Sequence, residues 1–175
     1  KQVRNFGYYW APNDYFDAVV LHEVIEHVAD DAQTIREAAR VIHRNGRIIV
    51  FAPNRLYPFE THGAFFGERY VFGNIPFIGW LPDALRNKFA PHVRAYRLGD
   101  IRQLFLGMDG AVLEHTQIYP GYDKIARRHA LIAGWFRRLT YFLEHTPLRL
   151  FGLSHFAVWE KGTGNRTNRK TDASV

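Results

Sequence analysis

FDAVVLHEVIEHVADD, residues 16–31, is the stretch on which the fold turns. Its first six residues, Phe16 to Leu21, are a short apolar run with β-branched residues at its centre, the composition of a buried strand. Asp30 and Asp31 then offer an N-cap and negative charge for a helix start. Ile35, Ala38, Ala39 and Ile42 recur at helical spacing, and Asn45-Gly46 closes that segment. RIIVFA, residues 47–52, is a second buried strand, stopped by Pro53-Asn54. Strand, helix, strand is a βαβ unit, which implies a parallel pair with a right-handed crossover.

Downstream, residues 55–92 break the pattern with Gly, Pro and many aromatics, among them Tyr57, Phe59, Phe65, Tyr70 and Trp80. A long irregular stretch inside a compact domain is usually functional. A short helix is expected near 82–89 and another over Asp100–Phe105, followed by a third strand over Ala111–Ile118. Residues 124–143 read as one amphipathic helix, with Leu131, Ile132, Trp135, Phe136, Leu139, Phe142 and Leu143 on one face. The expectation is that this face packs on the domain while the arginine stems stay solvated. A last strand lies within Gly152–Lys161.

Composition sets the outer bounds. The 175 residues are 47% apolar and 15% aromatic, enough to bury a core. There is no cysteine, so disulfides, thiolate catalysis and Cys-based zinc sites are excluded. No apolar run approaches the roughly 18 residues that span a bilayer. Lys1 stands first and the single Met is Met108, which points to a fragment. The polar residues 162–175 read as a disordered tail. Much of the remaining excess in the net charge of +6 falls between Lys124 and Arg149.

HEVIEH, 22–27, is not a metalloprotease motif, because its histidines are five apart instead of four and fall on different helix faces. If this segment is helical, Glu23, Glu26 and His27 share a face at i, i+3 and i+4. Two carboxylates and an imidazole suit a divalent cation. The alternative, and the preferred one, is that Glu26 and His27 make hydrogen bonds that fix the strand-to-helix turn.

The order of these parts resembles the second half of a class I S-adenosylmethionine-dependent methyltransferase. The resemblance rests on FDAVVLHEVIEHVADD (16–31), REAARVIHRNG (36–46) and RIIVFAPN (47–54). HVRAYRLGDIRQLF (92–105) and SHFAVWEK (154–161) agree with it. It implies an α/β, Rossmann-like sheet in the order 3-2-1-4-5-7-6, of which this chain would hold strands four to seven. Residues 1–161 would then be a partial methyltransferase domain with an aromatic insert at 55–92 and a basic amphipathic insert at 120–150. The family's glycine-rich loop and its ribose-binding carboxylate have no counterpart here. KQVRNFGYYWAPNDY (1–15) shows no equivalent of the adenine-contacting acid.

Open α/β sheets bind ligands outside the carboxyl ends of their strands. The resemblance therefore puts Leu21, His22 and Glu23 beside the methionine part of S-adenosylmethionine. E-x-x-E-H at Glu23, Glu26 and His27 is similar to the metal ligands of small-RNA 2′-O-methyltransferases and of some quinone-pathway O-methyltransferases, where the ion eases proton loss from a hydroxyl. Asn54, Tyr57 and Glu60 are the candidate acceptor pocket, and His62 the candidate base or further ligand. The expected activity is methyl transfer to a small-molecule or lipid-linked acceptor, with a hydroxyl favoured. The rivals are a non-catalytic Rossmann-like module and a membrane-surface protein using the basic segment 124–149. Nucleic acid is not expected, since no basic-aromatic RNA motif occurs. The cysteine-free composition fits the cytoplasm, with membrane association through 124–149.

Overall fold

The computed structural model describes residues 11–163, so Lys1–Trp10 and most of the expected tail lie outside the described residues. In chain order the elements are β1 (Phe16–His22), α1 (Asp31–Val41), β2 (Ile42–Pro53), β3 (Phe59–Glu60), β4 (Ala64–Phe66), β5 (Arg69–Val71), β6 (Ile75–Pro76), α2 (Asp83–Phe89), α3 (Leu98–Leu104), β7 (Gly110–Ile118), α4 (Asp123–Ala126), α5 (Ala130–Glu144) and β8 (Ser154–Lys161). The main sheet runs β1-β2-β8-β7. β1 and β2 pair in parallel, with Val19 opposite Ile48 and Leu21 opposite Val50. β8 is antiparallel to both of its neighbours.

Each element follows from local chemistry. Asp30 caps α1 as expected, its side chain accepting from the Gln33 amide at 2.7 Å. Ile35, Ala38 and Val41 turn inward from α1. β2 starts earlier than the expected residue 47, directly at the end of α1. Asn45-Gly46 does not separate helix from strand. Asn45 is left-handed at φ 62° and the β1–β2 register jumps from Ile42 to Arg47, so the pair is taken up as an irregularity inside the strand. Gly46 has no room for a Cβ, which would stand 2.7 Å from the His43 carbonyl.

The core lies on one face of the sheet. Ile48, Val50, Ala52, Ala157 and Trp159 pack there against Ile35 and Ala38 of α1 and Ile101 of α3. The ring of Trp159 stacks on Phe105 at 5.8 Å between centroids. The opposite face, with Val20, Ile49, Phe51 and Phe156, is less covered. The expectation that Phe16–Leu21 is a buried strand is therefore corrected. Phe16 and Val20 are exposed, because β1 has a strand partner on one side only among the described residues.

The insert after β2 folds into two short hairpins, β3 with β6 and β4 with β5, plus the expected helix α2. It keeps a small aliphatic core of Ile78, Ala90 and Val93. Arg55 ties it down by donating to the carbonyls of Gly79 and Leu81 and pairing with Asp83. Many of its aromatics, including Phe59, Phe66, Phe72, Phe77 and Trp80, stay exposed.

The expected single helix over 124–143 is two helices. His129 between them has non-helical angles, φ −142° and ψ 73°. α5 is also turned the other way round from the expectation. Its buried residues are Ala133 and Thr140, while Leu131, Trp135 and Phe142 face outward.

Candidate active site

β1 and β2 are parallel, so their carboxyl ends lie at the same edge of the sheet. β8 runs against them and contributes its first residues to that edge, and β7 its last. A cleft of about 300 Å³ opens there, lined among others by His22, Glu23, Phe51, Thr61, Tyr119 and Ser154. It sits outside the strand ends, where open α/β sheets bind ligands.

Glu23 leaves the strand in the left-handed region, φ 52°, a conformation that costs a non-glycine residue about 1 kcal/mol or more. The sharp exit directs its carboxylate across the sheet edge, where the Ser154 hydroxyl donates to it at 2.9 Å. His22 lies against the ring of Phe51 at 4.9 Å. Leu21 is not a cleft residue, since alternation sends it to the other face, where it packs on the core.

Residues 23–30 form turns, not a helix, with His27 N–H donating to the Val24 carbonyl at 3.1 Å. The helical-face argument for Glu23, Glu26 and His27 therefore fails. The structure brings together a different trio, Glu26, His27 and His62, with one candidate ligand atom from each lying within 4.8 Å of the others. Glu26 is 2% exposed, and neither carboxylate oxygen has a hydrogen-bond partner. His27 Nε2 stands 3.6 Å from it, too far for a hydrogen bond. Burial, with the charge of Glu23 adding to it, pushes the Glu26 carboxyl up to about 7. The preferred sequence expectation, that Glu26 and His27 make hydrogen bonds fixing the turn, is met by backbone alone, His27 N–H to the Val24 carbonyl and Arg94 N–H to the Glu26 carbonyl, and not by the Glu26 carboxylate.

His62 comes from the insert. Its Nδ1 lies 3.2 Å from Glu60 Oε1, and this contact raises its proton affinity against the opposing effect of burial. With Nδ1 engaged by Glu60, Nε2 is the nitrogen left for the trio. His27 shifts the other way, lowered by burial and then by His62. Two imidazoles and one buried carboxylate form a donor set suited to a divalent cation of the zinc or manganese type. An ion there would also compensate a carboxylate that is otherwise costly to bury.

The expected pocket residues have other duties. Asn54 is buried, donating to the Leu150 and Gly152 carbonyls at 2.8 and 2.7 Å and accepting from the Leu56 amide. It anchors the insert to the start of β8. Glu60 is buried between His62 and Arg86, whose Nη2 is 3.5 Å away. Tyr57 meets Phe59 edge-on, and burial raises its phenol above the ordinary range. None of the three lines the cleft. Thr61, Tyr119 and Ser154, which do, were missed. Ser154 alone had a legible signal: the first residue of an antiparallel last strand must fall at the carboxyl ends of its neighbours.

Read from β1, the order β1-β2-β8-β7 with only β8 reversed is the 4-5-7-6 half of the class I methyltransferase sheet. A methyltransferase-domain family model matches residues 10–50, the βαβ unit with its approach. Over those residues the chain is similar to methyltransferase domains, and the sheet has the Rossmann-like order of that fold.

Two Mycobacterium tuberculosis proteins named as probable S-adenosylmethionine-dependent methyltransferases share 44% identity with this chain over 45 residues. Those residues are 26% of this chain and 16% of each relative, so only a small part of either relative is matched. The solved S-adenosylmethionine-dependent methyltransferase of Mesorhizobium loti aligns over 89% of this chain and 66% of its own, at TM-score 0.52 and 13% identity. A Bacillus halodurans structure aligns over 90% of this chain and 69% of its own, at TM-score 0.51 and 14% identity. At such identities the likeness is one of fold.

Proposed function

We propose that this chain forms the C-terminal half of a domain that transfers a methyl group from S-adenosylmethionine to a hydroxyl-bearing acceptor. The observation that carries the reading is the cleft at the carboxyl ends of β1 and β2, with His22 and Glu23 at its wall. In this reading the strand next to β1, with the glycine-rich loop, comes from sequence preceding the chain. The exposed apolar edge at Phe16 and Val20 is where it would dock.

The sulfonium of the cofactor is already activated, so the protein's task is to align acceptor oxygen and methyl carbon and to exclude water. Glu23, held by Ser154, and His22, held by Phe51, would fix the cofactor side of the cleft. We further assign a divalent cation to Glu26, His27 and His62, which would favour the deprotonated form of an acceptor hydroxyl. His62 then serves as a ligand oriented by Glu60, not as a free base.

Calorimetric titration with S-adenosylhomocysteine, on protein that includes the sequence upstream of Lys1, is expected to show binding that Glu23→Ala weakens. No heat in that protein removes the catalytic reading and leaves a non-catalytic module. Titration with Zn²⁺ or Mn²⁺ is expected to show one site. Glu26→Gln and His62→Ala should each weaken it by at least the roughly 10–100-fold seen on losing an outer-shell partner. Glu23→Ala should leave it nearly intact. Equal affinity in the parent and in Glu26→Gln would return the trio to a structural role.

A further inference from the structure

The feature of this molecule least explained by methyl transfer is α5. A helix at the surface of a globular protein normally turns its large apolar residues inward. Here Ala133 and Thr140 are buried, while Leu131 is 91%, Trp135 61% and Phe142 65% exposed. At 100° per residue these three side chains fall within about 40° of one another, opposite Ala133 and Thr140. Ile132 and Leu139 flank them and are exposed too. The adjoining 3-10 turn Pro147–Phe151 adds exposed Leu148 and Leu150. Isolated surface apolar residues need no explanation, but a helical stripe of this kind does.

The charge around the stripe selects its occupant. Residues 123–149 carry six Lys and Arg against two Asp and Glu, a net +4 of the chain's +6. Arg137 is committed to Asp123 and the Gly121 carbonyl. Arg127, Arg128, Arg138 and Arg149 are exposed, and their guanidinium groups have no hydrogen bond or ion pair among the described residues. A second copy meeting this face would set arginines against arginines, which is unfavourable. An anionic bilayer offers both complements at once, negative headgroups for the arginines and an acyl boundary for Leu131 and Phe142. Trp135 and Tyr141 have the amphipathic rings that favour the headgroup level.

The geometry points to α5, with the 3-10 turn after it, as a face that docks the protein on an anionic membrane surface. α5 lies in the plane of the interface and does not cross it; among the described residues no helix is long and apolar enough to span a bilayer. The turn Tyr119–Gly121 lines both the sheet-edge cleft and the shallow groove beside Arg137 and Tyr141 of α5. This inference goes beyond methyl transfer and does not depend on it.

The test is sedimentation of the full chain with phosphatidylcholine vesicles, with and without phosphatidylglycerol, at low and high salt. Pelleting is expected only with the anionic vesicles, and salt should weaken it as the surface charge is screened. Arg127→Gln, Arg128→Gln and Arg138→Gln together should lower the partition coefficient by roughly 100-fold. Leu131→Glu with Trp135→Glu should abolish pelleting with circular dichroism unchanged, since both positions are solvent-facing. No pelleting at low salt overturns the proposal. So does pelleting that the Leu131/Trp135 pair leaves intact, because attraction would then reside elsewhere. Self-association that the same pair abolishes, without vesicle binding, also overturns it and makes the face an interface between copies.

Discussion

Gly110 shows how closely single positions are constrained. A Cβ built there would stand 2.2 Å from Trp159 Cζ2 and 2.3 Å from the Glu160 carbonyl oxygen. Trp159 is buried at the end of the core and stacked on Phe105, and the contact to Glu160 is with backbone. Neither neighbour can yield cheaply. Gly110→Ala is expected to destabilise the fold by about 1–3 kcal/mol, as overpacking does, read as a lower urea midpoint at unchanged m-value. Glu26 is the opposite case, a buried residue whose polar atoms lack partners. Its type was legible in the sequence as a candidate ligand. Its isolation was not, because that depends on which groups the insert brings to it.

Among the elements, α1 is the one whose boundaries chemistry spells out locally. The Asp30 carboxylate accepts from Gln33 N–H and its carbonyl accepts from the Thr34 hydroxyl at 2.9 Å. Asp30→Ala should cost about 1 kcal/mol of stability, measured by chemical denaturation, since the N-cap bond is lost without a cavity. α5 shows the limit of the same kind of reading. Its period correctly announces an apolar face, but period carries no information about which way the face is turned. The body beneath α5 buries Ala133 and Thr140 and half-buries Phe136 and Leu143, while Leu131, Trp135 and Phe142 are left outside. Likewise Asn45-Gly46 signals a turn in any sequence. Pairing of β2 with β1 across it turned that signal into an irregularity within a strand.

Across the whole molecule, β7, β8 and the segment before α3 are joined by a line of neutral histidines. His155 Nε2 donates to the Tyr96 carbonyl at 2.9 Å, which leaves Nδ1 to accept from Gln117 and from His115 Nε2 at 3.2 Å. His115 Nδ1 then has no partner. Burial, followed by the nearby His155 and Arg102, lowers the His115 imidazole to about 4, and burial lowers His155 as well. A histidine whose folded proton affinity is depressed contributes stability that is complete above its unfolded value near 6.5. As pH falls from there toward 4 the unfolded chain takes up the proton first, and stability declines. The expected loss is on the order of 1–3 kcal/mol across that window. Urea midpoints at pH 7.5 and 5 would show it, and His115→Gln should flatten the dependence.

The βαβ unit, its capped helix and the reversed last strand could be read from residues alone, because strand and helix signals act over a few neighbours and the handedness of a crossover is nearly invariant. The place of the cleft followed from that topology. Its walls did not. Thr61 and Tyr119 reach it, and Asn54 and Glu60 are drawn away from it, through contacts between residues far apart in the chain. His62 joins Glu26 and His27 only because the insert folds back over the turn after β1. The sequence could name the donors, but which atoms face one another, and which side of α5 meets solvent, is decided by packing at long range, where local pattern has no reach.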